Sequence, residues 1–251
     1  MRQPRTITSP HPRPDTLSAN VIEGAHVGGL IPLGDASRRR VHFPIATLLL
    51  IVLNAFVFFL ELQGGDSFVY KWAAIPSNIV SGHAVPTLLT SMFLHGSWSH
   101  ILGNMIFLWA FGPAMEDAMN HWSFTAFYLL GGLAAMVAQV AVTSTSNIPS
   151  LGASGAIAAV MGAFLVTYPR DRIRSLFFFF LFIRITYIPA ILLIGVWFLI
   201  QLLNVGSVVY VQHGGVAYMA HVSGFLFGVL TVRFFRRSQP TFASPNSWPR
   251  A

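Results

Sequence analysis

The sequence predicts an all-α polytopic membrane protein, a bundle of six transmembrane helices with a polar tail at each end. Three observations carry that expectation. Hydrophobic residues make up 54% of the chain and charged residues only 9%, where a soluble domain carries roughly 25%. The apolar residues fall into six long runs, and 15 basic residues lie between those runs or in the tails. Mean hydropathy is +0.64. The absence of cysteine excludes disulfide scaffolds, thiolate metal sites and cysteine nucleophiles. The net charge of +7 is placed as membrane orientation requires, so it does not read as a nucleic-acid surface.

In chain order, residues 1–41 are polar, with Pro4, Pro10, Pro12, Pro14, Gly24, Gly28 and Gly29. They have too little apolar content to offset the entropy of ordering and are expected to be a disordered tail. No apolar run of signal-peptide length occurs there. The apolar segments are 43–62, 95–115, 124–142, 151–168, 185–203 and 216–232. Most match the 17–25 residues that a helix needs to cross a hydrocarbon layer of about 30 Å. With no water to satisfy backbone groups, they should be helices. The short run Phe177 to Ile183 is read as lying at the interface, leading into the fifth helix. Residues 42–237 thus form the membrane domain, and 238–251, with Pro240, Pro245 and Pro249, a second loose tail.

Orientation follows from the basic residues. Arg38, Arg39 and Arg40 precede the first segment, Arg170, Arg172 and Arg174 follow the fourth, and Arg233, Arg236 and Arg237 end the sixth. Six spans with both termini cytoplasmic place these, and every other arginine, on one side, leaving only Lys71 outside.

Polar residues inside membrane spans are costly, so each one is a functional candidate. His95, His100 and Asn104 lie in the second segment, Ser154 opens the fourth within Gly152-Ala153-Ser154-Gly155, and His221 lies in the sixth. His100 and Asn104 are four apart and share a helix face. The second, fourth and sixth helices all descend from the outer surface. Ser154, about three residues in, and His221, about five in, are therefore level at roughly 5–8 Å depth. A serine needs an imidazole to take its proton, and an oxyanion needs donors already in place. No carboxylate lies at that depth in these helices, so any catalysis would use a Ser-His dyad oriented by packing. Gly155, Ala159 and Gly162 on the fourth helix, and Gly224 and Gly228 on the sixth, favour close backbone approach.

These residues resemble the rhomboid intramembrane serine proteases over about 72–237. The motifs are Phe93-Leu94-His95, His100-Ile101-Leu102-Gly103-Asn104, Phe111-Gly112-Pro113-Ala114-Met115-Glu116, Gly152-Ala153-Ser154-Gly155-Ala156-Ile157 and Ala220-His221-Val222-Ser223-Gly224. The resemblance implies a six-helix core, Ser154 as nucleophile and His221 as base, His100 and Asn104 at the oxyanion, and Glu116 as structural. It also implies a fifth helix acting as a gate, where Pro189, Trp197 and Gln201 lie. Some bacterial members carry a Trp-Arg pair in the first loop, where this chain has Val85-Pro86.

The expected function is an intramembrane serine endopeptidase that cuts transmembrane proteins near the outer membrane face. Its partners would be those substrates and the lipid bilayer, without nucleic acid, metal or cofactor. The alternative is a rhomboid-like protein that binds membrane clients without catalysis. A channel would instead need polar residues along the whole height of the helices. Taken singly, Ser154 also reads as a helix cap or packing residue, and Asn54, Gln139 and Gln201 as interhelical hydrogen bonders. His95 is expected to be structural, and Glu116 and Asp117 structural or solvated. His11, His26, His42, His83 and His213 have no companion at metal-ligand spacing. A bacterial inner membrane suits the compact core best, with a mitochondrial inner membrane as the alternative. The sequence leaves oligomeric state and substrate open.

Overall fold

The computed structural model describes residues 28–38, 41–179, 182–205 and 217–237. The elements are β1 (Gly28–Asp35), α1 (Ile45–Trp72), α2 (Pro76–Val80), α3 (Thr87–Thr90) with a 3₁₀ turn at Ser91–Phe93, α4 (Trp98–Met119), α5 (His121–Val142), α6 (Ser154–Thr167), β2 (Arg172–Phe179), β3 (Phe182–Pro189), α7 (Ala190–Val205) and α8 (Tyr218–Phe235). Each of the six expected apolar segments holds one of the helices α1, α4, α5, α6, α7 and α8. Three of these, α1, α5 and α8, are long and apolar enough to cross a membrane. α6 and α7 are apolar but shorter, with 14 and 16 residues. The 22-residue α4 carries His100, Asn104, Glu116 and Asp117.

Local chemistry sets the boundaries. α1 continues past its apolar run to Trp72 through a kink at Gly65, whose φ of 57° suits glycine. α4 starts at Trp98, later than expected, because the Ser97 hydroxyl accepts from the His100 N–H and caps the helix. Asn120, at φ 81°, separates α4 from α5, and its side-chain oxygen accepts from Trp122 N–H and Ser123 N–H. Glu116 joins the lower ends of three elements. Its carboxylate accepts from Ala46 N–H (2.8 Å), Thr47 N–H (2.8 Å) and Thr47 Oγ1 (2.6 Å), and it meets His121 Nδ1. A carboxylate at the first turn of α1 satisfies orphan donors and complements the helix dipole.

Beside the helices of the expected bundle stands a three-stranded antiparallel sheet, in the order β1-β2-β3. Residues 28–35, expected to be part of a disordered tail, pair with β2 from Gly28 opposite Phe179 to Asp35 opposite Ile173. Of the run from Phe177 to Ile183, Phe177 to Phe179 end β2 and Phe182 and Ile183 begin β3, two antiparallel strands with Arg172 opposite Pro189 and Phe179 opposite Phe182. The fifth helix accordingly begins at Ala190, not Ile185. The alternating and β-branched residues Ile183, Ile185, Thr186 and Ile188 favour the strand. Arg38 pairs with Asp171 and lies 3.9 Å over the Tyr168 ring, while Ala190 N–H donates to Asp171 O at 2.8 Å. These contacts pin the sheet beneath α6 and at the start of α7. Residues 1–27 and 238–251 of the expected tails lie outside the described residues.

The most extensively packed pair of elements is α6 with α8. A methyl group on Gly224 would lie 2.2 Å from Gly155 O, one on Gly228 2.0 Å from Ala159 O, and one on Gly162 2.3 Å from Phe225 O. The register climbs together along both helices, so they run parallel. On the other side, Gly131 faces Ala159, and Gly132 faces Ala156 and Met92, so α5 packs antiparallel to α6. Phe111 of α4 meets Phe164 of α6 edge-on at 5.2 Å. α6 is therefore the buried centre of the bundle, whereas α7 buries only Ala190, Ile194 and Gln201.

Two outcomes are expected. Gly228→Ala, forced against a backbone carbonyl, should lower the melting midpoint in detergent, since overpacking costs about 1–3 kcal/mol. Gly103→Ala, with nothing within 4 Å, should leave the midpoint unchanged or raise it. In the sheet, burial, with Asp171 beside it, pushes the Asp35 carboxyl up from 3.8 to about 6, against the opposing Ser37 N–H and Arg38. The folded chain then holds a proton that the unfolded chain releases at lower pH, so stability falls as pH rises from 3.8 to about 6. Asp35→Asn should raise the melting midpoint at neutral pH, and the gain should vanish near the lower end of that window.

Candidate active site

The candidate residues come together in the first turns of three helices. Ser154 is the first residue of α6, His221 the fourth of α8 and His100 the third of α4. Each lies nearer its helix start than the apolar segments implied. α6 parallels α8 through the glycine register. It also parallels α4, since His100 lies by Gly152 and Phe111 by Phe164. The three first turns are therefore level.

Gly152 is the point of convergence. Its φ of 125° is one that side chains rarely adopt, and its N–H donates to Ser91 O at 2.9 Å. The preceding residue pair Ala74 and Ser150 bridges back to the end of α1, which holds the loop ahead of α6. A methyl group on Gly152 would lie 2.9 Å from His100 Nε2 and 3.6 Å from Ser154 Oγ. Glycine here leaves room for the imidazole to stand beside the serine. One turn on, a methyl group on Gly155 would lie 3.6 Å from Ala220 O and one on Gly224 2.2 Å from Gly155 O, so Ser154 and His221 stand on closely packed backbones. No hydrogen bond joins the Ser154 hydroxyl to the His221 ring in this conformation. Unliganded sites often show long catalytic contacts that tighten on binding.

His221 is buried, and its Nδ1 pairs with Gln201 Oε1 at 2.8 Å. The Trp197 ring lies 5.8 Å from the imidazole, tilted by 37°. The start of α8 is held by Gln139 of α5, whose Oε1 accepts from Ala220 N–H at 3.2 Å. Asn104 is also buried, and its Nδ2 has no hydrogen-bond partner among the described residues. An unpartnered buried donor costs about 1–3 kcal/mol. A cavity of about 10 Å³, close to the room one water needs, adjoins Ser154 and is lined by Gly132, Ala135, Gly152, Gly155 and Ala220.

Other expected candidates lie elsewhere. Glu116 is at the opposite end of α4, bound to the start of α1, and Asp117 accepts from Val41 N–H and His42 N–H. Asn54 bonds Leu50 O within its own helix, whereas Gln139 and Gln201 do reach across to α8. Pro189 ends β3 rather than lying in a helix. Of the polar loops 143–150 and 204–215, the first is described, whereas 206–215 lies outside the described residues. Sequence reasoning assigned Glu61 nothing, yet its buried carboxylate accepts from His95 N–H at 2.8 Å and holds the turn before α4. The spacing of a lone acid near the outer end of the first apolar run was the available signal.

A helical membrane bundle that gathers a serine, two imidazoles and an amide at one end defines a class of intramembrane site. The rhomboid domain family model matches residues 82–238, and the chain belongs to the rhomboid family. It is 32% identical over 126 residues to Rhomboid protease GluP of Bacillus subtilis, covering 49% of this chain and 24% of that protein. It is 27% identical over 188 residues to Rhomboid protein 1, mitochondrial, of Saccharomyces cerevisiae, covering 72% and 50%. Presenilin-associated rhomboid-like protein, mitochondrial, of Homo sapiens is 35% identical over 103 residues, covering 40% and 27%. The chain thus aligns with between about a quarter and a half of the length of these relatives.

Glu116→Ala would strand the Ala46 and Thr47 donors in the interior. Its expected cost is a lost melting midpoint equivalent to roughly 2–4 kcal/mol. Glu116→Gln, which keeps acceptor oxygen but not the charge, should cost less. Thermal unfolding in detergent reads both.

Proposed function

We propose that the chain is an intramembrane serine endopeptidase acting on transmembrane segments of other membrane proteins. The observation that carries this reading is the meeting of Ser154, His221 and His100 in level first turns, with the unpartnered amide of Asn104 buried on α4. A buried donor left without a partner suits a group that acquires one only when charge develops.

In the proposed reaction, His221 Nε2 takes the proton of Ser154 Oγ as that oxygen attacks the substrate carbonyl carbon. The oxyanion is held by the Asn104 amide, His100 and the Ser154 N–H, the last of these free at the start of α6. The proton passes from His221 to the departing amine as the C–N bond breaks. Water then releases the acyl group by the same route. The small cavity at Ser154 is the place where that water would enter. Acid should slow the reaction, because an imidazolium cannot accept the serine proton.

A helical substrate must unwind to expose its carbonyl, so small or helix-weakening residues near the outer end of a span favour cleavage. The distribution of arginines supports six spans with both termini on the cytoplasmic side. The relatives come from a bacterium and from mitochondria, so they do not favour a bacterial inner membrane over a mitochondrial one.

The test is cleavage in liposomes of a single-pass protein with Gly and Ser near the outer end of its span. The parent should release two fragments, and Ser154→Ala and His221→Ala should each lower the rate by at least about a thousandfold. Intact substrate retained by the parent, bound but uncut, would replace the protease reading with that of a client-binding protein.

A further inference from the structure

The dyad reading leaves one requirement unmet. A histidine that accepts a proton at Nε2 must carry its other proton at Nδ1, and among the described residues no carboxylate stands at that nitrogen to hold it there. The structure places Gln201 of α7 in that position, with its Oε1 2.8 Å from His221 Nδ1.

The orientation of the amide is determined by its second contact. Gln201 Nε2 donates to Trp197 O, one turn back in α7, at 3.2 Å. A carbonyl oxygen only accepts, so the NH₂ must face Trp197 and the Oε1 must face the imidazole. A flipped amide would set oxygen against oxygen at one end. An amide oxygen also only accepts, so His221 Nδ1 must carry the hydrogen. The neutral ring then has its lone pair at Nε2, on the edge away from Gln201. Two ordinary hydrogen bonds therefore select one tautomer.

The setting agrees with a positioning role. Gln201 is buried in a helix whose only other buried residues are Ala190 and Ile194. A polar group on the inner face of such a helix needs a partner, and its partner is the imidazole. Trp197 lies against the same ring, and Phe198 stacks on Phe225 at 4.2 Å, one turn along α8. α7 thus meets the base through two contacts, one of them aromatic, and a third, Phe198 on Phe225, packs it against α8 one turn along.

We propose that Gln201 is the positioning residue for His221, holding it as the Nδ1–H tautomer and making the competence of the base depend on the docking of α7. The inference rests on the serine-protease reading of Ser154 and His221. Through the cycle the Nδ1 proton stays in place. The serine proton moves to Nε2 as the Oγ–C bond forms, and leaves with the amine as the C–N bond breaks. The amide dipole points its negative end at the imidazolium without introducing a buried ion. Around the ring, the other titratable groups among the described residues are His100 from α4 and Tyr218, whose ring centroid lies 6.4 Å away in α8.

The experiment measures the rate of fluorophosphonate labelling against pH in detergent for the parent, Ser154→Ala, Gln201→Leu and Gln201→Glu. Parent labelling that is lost in Ser154→Ala establishes the activated serine. Gln201→Leu should then label about tenfold or more slowly, with a melting midpoint near the parent's. Gln201→Glu, which still accepts from Nδ1, should recover much of the rate, with its acid limb displaced to higher pH. If Gln201→Leu does not fold, the displaced limb of Gln201→Glu decides the question. Parent-like rates and profiles in both variants would overturn the inference and leave the serine reading intact. A parent that shows no labelling dependent on Ser154 would overturn both.

Discussion

The contact between α6 and α8 is the constraint on which the rest of the structure depends. In lipid there is no hydrophobic gain from pushing helices together, so association must come from close packing. Gly155, Gly162, Gly224 and Gly228 supply it by letting main-chain carbonyls of one helix touch the α-carbons of the other. The first pair in this seam, Gly155 with Gly224, lies one residue from Ser154 and three from His221. Contact between backbones is stiffer than contact between long side chains, so the proposed nucleophile and base beside it have little freedom to drift. The same seam sets the level of Ser154 against His221, because parallel helices in register share a depth.

The other polar groups fall into two kinds around this axis. At the far end Glu116 is fully engaged, gathering donors from the start of α1 and the imidazole of His121, and it serves to tie α1, α4 and α5 together. At the near end Gln139 secures the first turn of α8, and Glu61 secures the turn into α4. Asn104 differs from all of these in leaving a buried donor unmet. Glu61 holds its turn through one oxygen while the other stays buried and unpartnered, so what marks these framework groups is their hold on a neighbouring helix or turn rather than complete satisfaction.

Much of this arrangement was legible in the sequence, for physical reasons that also explain the exceptions. Apolar runs long enough to span a bilayer must be helical, so all six helices could be placed. A polar residue in such a run must have a purpose, which singled out Ser154, His221, His100 and Asn104. The pairing of β2 with β3 was not legible. The run Phe177 to Ile183 read as an interfacial segment, and nothing in a short apolar run distinguishes such a segment from a strand. β1 was hidden by Gly28, Gly29 and Pro32, whose composition resembles disorder until a pairing partner is known. Gln201 could be seen as a hydrogen bonder, but its partner could not, because nothing local ties position 201 to position 221. The boundaries of α4 and α7 shifted because Ser97 supplies a cap, and because the sheet takes up the residues before Ala190.

The central claim is that this seam makes Ser154 an activated nucleophile, and the most direct measurement is the site of covalent modification. After reaction of the intact protein with a fluorophosphonate, mass spectrometry of its peptides should find a single phosphonyl adduct, carried by Ser154. The adduct should be absent when the seam is opened by Gly224→Leu. Adducts spread over other hydroxyls, or an adduct on Ser154 that persists undiminished in Gly224→Leu, would contradict the account.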